Sequence, residues 1–208
     1  MKFSLTALAT GLALFGSASA FAASTVDLTV TGLIVPSACT PSLSNGGVVD
    51  HGKISAQDLN QDNDTLLPDH KMTLTVVCDG TILVALNAID NRAGSSNNHV
   101  DAGFGLGLIN GTQKLGHFYL VARRTIADGV EARPIISMDG GNSWIKYGDW
   151  NPTHYLSVAA MDDPSQPLPV KEFTSELDVW TYIAPANGLD LSDEVSIDGS
   201  ATLEVKYL

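Results

Sequence analysis

Short alternations of apolar and polar residues recur along the chain. In residues 72–78 the apolar side chains Met72, Leu74 and Val76 share one face with Cys78, and threonines occupy most of the other. A period of two residues is typical of a half-buried β-strand, and clusters of Gly, Pro, Asn and Asp separate one such run from the next. No stretch keeps a helical period over twelve residues. The pattern therefore predicts an all-β sandwich.

Several further strands are predicted from the same alternation. They lie at residues 81–89, 116–123, 155–161 and 173–184, with a hairpin at 135–147. The glycine-rich segment 104–108 lacks the spacing of a nucleotide loop, so its glycines indicate bulges or a close backbone approach. The last alternating run begins at Ile197 and reaches Tyr207, so the chain ends inside a strand.

Residues 1–23 have the composition of a secretory signal peptide. Lys2 precedes an apolar run at residues 5–15, and small residues provide cleavage positions after Ala20, Ala22 or Ala23. Neither this run nor any later one reaches the roughly 18 apolar residues that a spanning helix needs. We therefore expect an exported protein without a membrane span.

Residues 24–35 form an alternating segment at the start of the mature chain, and Pro36 ends it. A terminal strand with one clean apolar face requires a groove, either in its own domain or in another molecule. The residues of that face are Val26, Leu28, Val30, Gly32 and Ile34.

The net charge and the number of cysteines limit which partners and sites we expect for this protein. The formal charge of −12 becomes about −13 when Lys2 leaves with the signal, which argues against nucleic acid and anionic membranes as partners. Cys39 and Cys78 are the only cysteines, and an even, minimal count in an exported protein predicts one disulfide. A metal site is the alternative, but the histidines are scattered and no metal or other cofactor is expected.

The sequence does not favour two other kinds of site, a calcium loop and a catalytic centre. Asp58, Asn60, Asp62 and Asp64 alternate as in the start of a calcium loop, but Asn63 stands where the turn glycine belongs, so a solvated acidic loop is expected. Catalytic motifs such as GxSxG, HExxH or a paired carboxylate motif are absent. We therefore expect a protein that is not an enzyme.

Taken in order, four features resemble the subunits of chaperone–usher pili. They are the glycine-bearing strand 24–35, Cys39 soon after it, Cys78 at a strand end and the penultimate Tyr207. Residues 90–92, 104–108 and 115–116 are also similar to a fimbria-associated family whose individual roles are mostly unassigned.

The resemblance implies an incomplete immunoglobulin-like β-sandwich, residues 36–208, that is completed by a donor strand. In such pili a periplasmic chaperone first lends a strand, and the outer-membrane usher exchanges it for the N-terminal extension of the next subunit. Here residues 24–35 would be that donor strand, with Gly32 over a shallow pocket. The chaperone would contact the C-terminal strand through Leu203, Val205, Tyr207 and Leu208.

The resemblance also implies a location and a role. The subunit would pass through the periplasm to the cell surface and join neighbouring pilus subunits, in a homopolymer or heteropolymer that supports adhesion or biofilm. The donor-like extension argues against a tip adhesin, whereas shaft, adaptor and terminator positions all fit the sequence. The alternative is a self-contained exported β-sandwich that binds carbohydrate or a host surface through an aromatic platform of Trp144, Trp150, Trp180, Tyr147 and Tyr155.

Overall fold

A computed structural model describes residues 28–32, 38–98 and 102–208. Residues 28–32 belong to an N-terminal unit, Met1–Ile34, and these five residues are exposed and lie outside any strand. The predicted signal peptide, Val26 and Ile34 fall outside the described residues. The second unit, Val35–Leu208, contains all the strands of the described chain.

Thirteen strands and three single 3-10 turns make up the described part of this second unit. The turns are Ser44–Gly47, Ala56–Asp58 and Ala186–Gly188. The strands are β1 (Cys39–Leu43), β2 (Thr65–Leu66), β3 (His70–Ile82), β4 (Val84–Asp90), β5 (Phe104–Gly105), β6 (Leu108–Ile109), β7 (Gln113–Lys114), β8 (Gly116–Ala127), β9 (Val130–Ser137), β10 (Asp149–Trp150), β11 (Tyr155–Ala159), β12 (Val170–Ile183) and β13 (Ala201–Tyr207).

Every strand pair is antiparallel, and the main strands follow one path. The order is β1-β3-β12-β8-β9-β11-β4-β13, with β2, β5 and β10 attached to the first half and a small β6–β7 ribbon apart from it. Strand β9 joins the two halves, because residues 130–132 pair with β8 and residues 133–137 pair with β11. The result is two facing sheets, a β1-β3-β12-β8 sheet and a β9-β11-β4-β13 sheet, that approach a barrel.

The core lies between the inner faces of these two sheets. Leu74, Val76 and Phe173 come from the first sheet and Leu86 and Leu156 from the second, and all are almost fully buried. Alternation along each strand places these side chains on the inner face, as the sequence pattern requires. The expectation of an all-β fold is confirmed.

The structure corrects two details of the predicted strand order. The run at 81–89 is divided, because β3 continues to Ile82 and β4 begins at Val84. The predicted 135–147 hairpin is reduced to one bridge between Ile136 and Ile145, since residues 138–144 are occupied by turns.

Gly105 confirms the expected close approach in the glycine-rich segment. A Cβ at this position would come within 2.1 Å of Ser95 Oγ and 2.7 Å of the Arg92 carbonyl oxygen. Only glycine leaves room for the loop that follows β4 to pack against β5.

The predicted disulfide between Cys39 and Cys78 is confirmed. The two residues face each other in the β1–β3 pair, and their Sγ atoms are 2.06 Å apart. The bond connects the start of β1 to the middle of β3 across a sequence separation of 39 residues.

Candidate functional site

The two ends of the strand path are unpaired edges. In the part of the chain that the structure describes, β1 pairs only with β3 and β13 pairs only with β4. Their inward-facing residues are half-buried, although the matching residues of β4 have no exposed surface. The seam between β1 and β13 is therefore incompletely covered.

An apolar groove runs along this seam beside β13. Its cavity has a volume of about 240 Å³. Leu43, Gly47 and Val49 line one side, and Ala201 and Leu203 line the other. The floor comes from side chains of the first sheet: Met72, Phe118, Leu120, Leu177, Val179 and Thr181.

The groove continues beyond the start of β13 as a second cavity of about 590 Å³. Residues 49–59 and 191–197 line it, and Val49, His51 and Ile197 also line the first cavity. This part is more polar, since Asp50, Lys53, Asp193 and Glu194 also line it. Because they share these lining residues, the two cavities adjoin and form one continuous groove.

The opposite end of the groove is closed by a hydrogen bond. The backbone N–H of Cys39 donates to the Tyr207 hydroxyl over 3.0 Å, which holds the end of β13 against the start of β1. One residue later the Leu208 N–H donates to the carbonyl oxygen of Leu83 over 3.2 Å. The last strand is thus fixed at its C-terminal end and open along the rest of its free edge.

Two of the four predicted C-terminal residues lie at this groove. Leu203 lines the cavity, Val205 packs half-buried against the core, and Tyr207 closes the end. Leu208 is 44% exposed beside Gly141. These positions are consistent with a surface that another strand can cover.

The described residues of the predicted donor strand are almost completely exposed. Leu28 is 89% exposed and Val30 is 87% exposed, and a Cβ added at Gly32 would meet no other atom within 4 Å. Large apolar side chains with this exposure at alternate positions are consistent with a surface that lacks its partner.

Sequence reasoning missed the long walls of the groove. Residues 48–54 and 191–197 contribute Val49, Ile54 and Val195 to the half-buried rim of the core, yet neither segment belongs to a strand. The apolar pair Val48–Val49 and the isolated Ile54 were the only signals in the first segment, because an unpaired wall need not keep a period of two residues.

The aromatic platform considered as an alternative does not form. Trp150 has no exposed surface and donates from Nε1 to the His154 carbonyl oxygen over 2.9 Å, so it belongs to the core. Trp180 lies elsewhere, beneath the Arg123 guanidinium at 5.6 Å from the ring centre. Trp144 and Tyr155 both flank Gly141, and Tyr147 is 48% exposed.

The alternating acidic segment forms a hydrogen-bonded loop. Asn60 Oδ1 accepts from the N–H groups of Asp62 and Asn63. The Asp62 carboxylate accepts from Asn187 and that of Asp64 accepts from Asn97, so the side chains point to different partners. Among the residues described, no three His, Cys, Asp or Glu side chains are grouped so that they could hold a metal ion.

Two further observations concern the compartment of the protein. A disulfide indicates folding in an oxidising compartment, which agrees with the expected export. The helical segments of the described residues include none that is long and apolar enough to cross a membrane.

The chain has relatives among known proteins. Residues 28–116 match a family model described as a protein of unknown function, DUF1120, and this range contains both cysteines and one wall of the groove. The chain is similar to the uncharacterized protein YhcF of Escherichia coli K12, with 26% identity over 228 aligned residues that cover 93% of this chain and 95% of YhcF. An 80-residue stretch is 35% identical to protein GltF of the same organism and covers 36% of this chain and 32% of GltF. The similarity to YhcF extends over nearly the whole chain, and none of these names states an activity.

Proposed function

We propose that this protein is a structural subunit of a fimbrial fibre that polymerises by donor-strand exchange. The observation that carries the proposal is the open apolar groove beside β13. Its occupant in the fibre is the N-terminal extension, residues 24–35, of a second copy of the chain.

The extension and the groove are complementary in chemistry. The groove offers an apolar floor and the unpaired edge of β13, and the extension offers apolar side chains on alternate positions together with its own backbone groups. Burying Val26, Leu28, Val30 and Ile34 would contribute roughly 6–12 kcal/mol before the cost of ordering the strand. Added backbone pairing is the usual source of affinity when a strand joins a sheet edge.

The extension is longer than β13, the strand beside which it would lie. The seven residues of β13 extend over about 23 Å, whereas a twelve-residue strand reaches about 40 Å. The part of the extension that reaches beyond β13 would lie in the second cavity, which residues 49–59 and 191–197 line. An extension of twelve residues can therefore follow the groove through both cavities.

An unfilled groove leaves apolar side chains and backbone groups exposed, which favours aggregation and makes a protective partner necessary. We propose that a periplasmic chaperone occupies the groove before assembly and contacts Leu203, Val205, Tyr207 and Leu208, and that an outer-membrane usher directs the exchange. The role of the protein at the cell surface is then structural, with no catalytic activity.

A labelled peptide of residues 24–35 tests the proposal. The oxidised mature chain would be incubated with the peptide and analysed by SDS gel electrophoresis without heating. We expect a ladder of SDS-resistant oligomers that shortens as the peptide concentration rises, with the label at the ends of the chains. A stable monomer that ignores the peptide would overturn the proposal and favour a self-contained surface-binding module.

Matched variants separate strand insertion from unspecific association. In the peptide, Leu28→Asp should abolish incorporation and Thr29→Asp should not. In the protein, Leu203→Asp places a charge in the groove and should block uptake. Thr202→Asp, on the exposed face of the same strand, should leave uptake unchanged, because the new carboxylate can still accept from Asn91 Nδ2.

A further inference from the structure

His51 lies where the two cavities of the groove meet, and its ring lines both of them. The ring Nε2 forms a hydrogen bond with the Thr181 hydroxyl over 3.0 Å. Thr181 belongs to β12 and is almost fully buried in the groove floor. His51 therefore connects one wall of the groove to the first sheet.

Within the described residues, this is the one hydrogen bond from residues 48–54 to a strand. The other hydrogen bonds of the segment do not reach a strand: the Val48 N–H donates to the Asn45 carbonyl oxygen over 3.2 Å, and the Gly52 N–H donates to Asp50 Oδ1 over 2.8 Å. Apolar packing of Val49 and Ile54 provides the remaining attachment. Residues 48–54 are therefore attached to the sheet by one hydrogen bond, from His51 to Thr181, and depend on it more than a paired strand depends on any one of its hydrogen bonds.

The surroundings of the His51 ring disfavour a positive charge. The His70 ring, from the first residue of β3, meets it edge-on with centroids 4.7 Å apart. The His51 Nδ1 atom is buried and has no hydrogen-bond partner among the described residues. An imidazolium carries a proton on both nitrogens, so protonation would leave a buried N–H without an acceptor.

The nearby charged groups do not remove this penalty. Burial lowers the pKa of His51, the neighbouring His70 lowers it further, and Asp50 in the same segment raises it only in part. Lys53, Asp193 and Glu194 line the same cavity, so the remaining charges around the groove are mixed in sign.

We propose that His51 is the positioning residue for the groove wall of residues 48–54, and that this wall stays docked on Thr181 only while the His51 ring is neutral. Strand retention in the groove is then sensitive to mildly acidic pH. The part of this inference that concerns strand retention rests on the proposed function, whereas the docking of the wall does not.

The direction of the effect follows from proton linkage. The pKa of His51 in the folded protein lies below its ordinary value near 6.5, so the unfolded or undocked form binds the proton more tightly. Docking is fully favourable above about pH 6.5 and weakens as the pH falls towards the lowered value. Acid therefore releases the wall.

Two measurements on the full chain test this inference. Hydrogen exchange followed by mass spectrometry, corrected for the intrinsic pH dependence, reports the protection of residues 48–54 between pH 7.5 and 5. In parallel, the dissociation rate of a bound labelled 24–35 peptide reports strand retention. For the wild-type chain we expect the protection of residues 48–54 to fall and the dissociation of the peptide to accelerate severalfold as the pH is lowered.

Three variants test whether His51 itself controls the response to pH. His51→Gln can still donate to Thr181 but does not titrate, so both readouts should become independent of pH. Thr181→Val removes the anchor and should give the acid behaviour already at pH 7.5. His117→Gln is the matched control: burial also lowers the pKa of His117, but its ring packs on Tyr182 and bonds Asn97, away from the groove lining. It should keep the wild-type response in both measurements.

The outcomes separate the two proposals. If the His51→Gln chain responds to pH as the wild type does, or if Thr181→Val leaves protection at pH 7.5 unchanged, the inference is wrong. If residues 48–54 lose protection in acid but no peptide binds at any pH, the docking of the wall stands and donor-strand exchange fails.

Discussion

Tyr207 has a structural role that its position in the sequence only partly indicates. An aromatic residue near the end of an alternating strand is usually a core side chain, and the ring of Tyr207 is half-buried as that view requires. Its hydroxyl, however, accepts the N–H of Cys39, the first residue of β1. One side chain therefore joins the last strand to the first at the closed end of the groove.

Replacing Tyr207 with phenylalanine removes this contact and keeps the ring. The Cys39 N–H then loses its acceptor in a partly buried place, so Tyr207→Phe should lower the free energy of unfolding by about 0.5–1.5 kcal/mol. Urea unfolding followed by tryptophan fluorescence measures the change. Tyr147→Phe is the control, because the Tyr147 ring is half-exposed and the contact of its hydroxyl with Asp149 is open to water, so this substitution should change stability much less. Equal effects of the two substitutions would contradict the assigned role of Tyr207.

At the scale of elements, β1 is the weakest of the main strands. It has five residues, a single neighbouring strand and no fully buried side chain. The disulfide from Cys39 to Cys78 compensates for this small contact, because it holds β1 against β3 at the closed end of the groove.

Removing both cysteines tests how far β1 depends on the disulfide. The double variant Cys39→Ser, Cys78→Ser should lose about 4 kcal/mol of stability, the chain-entropy value for a loop of about 40 residues. Chemical denaturation of the oxidised protein and of the variant measures the difference. Reduced and alkylated wild-type protein should behave like the variant. A loss below about 1 kcal/mol would show that packing alone holds β1.

The elements also show why some parts of the structure could be predicted from the sequence. The predicted strands 116–123 and 173–184 correspond to β8 and β12, since long alternating runs carry enough positions to define a face. The two-residue strands β2, β5, β6, β7 and β10 are too short to show a period, and tertiary contacts fix them. Residues 48–54 and 191–197 also show no period, because their half-buried side chains line the groove and belong to no strand.

At the scale of the whole described second unit, the two sheets meet at two seams, and only one of these seams is closed. On one side β9 passes from the first sheet to the second, and residues 145–150 complete the closure through the Ile136–Ile145 bridge and a 2.8 Å hydrogen bond from the Ala122 N–H to the Gly148 carbonyl oxygen. On the other side β1 and β13 meet at Tyr207 and then diverge around the groove. In the described part of the second unit, the free edge of β13 therefore lies open beside the apolar cavity.

A copy of residues 24–35 appended after Leu208 through a short turn should occupy this place. A tight connection makes the added strand antiparallel to β13, so it can pair with the free edge within one molecule. Apolar burial and backbone pairing with the free edge together should exceed the cost of ordering the added strand, and we expect a net gain of about 3 kcal/mol. That gain raises the unfolding temperature by roughly 6–12 °C for a domain of this size.

The appended chain should also be monomeric by light scattering and should no longer incorporate the labelled 24–35 peptide. The control carries Leu28→Asp and Val30→Asp in the appended copy only, and it should keep both the wild-type unfolding temperature and peptide uptake. Stabilisation by the control copy as well would mean that the added segment acts outside the groove. Because the appended strand and the peptide compete for one place, loss of uptake together with the gain in stability locates strand addition at the edge of β13.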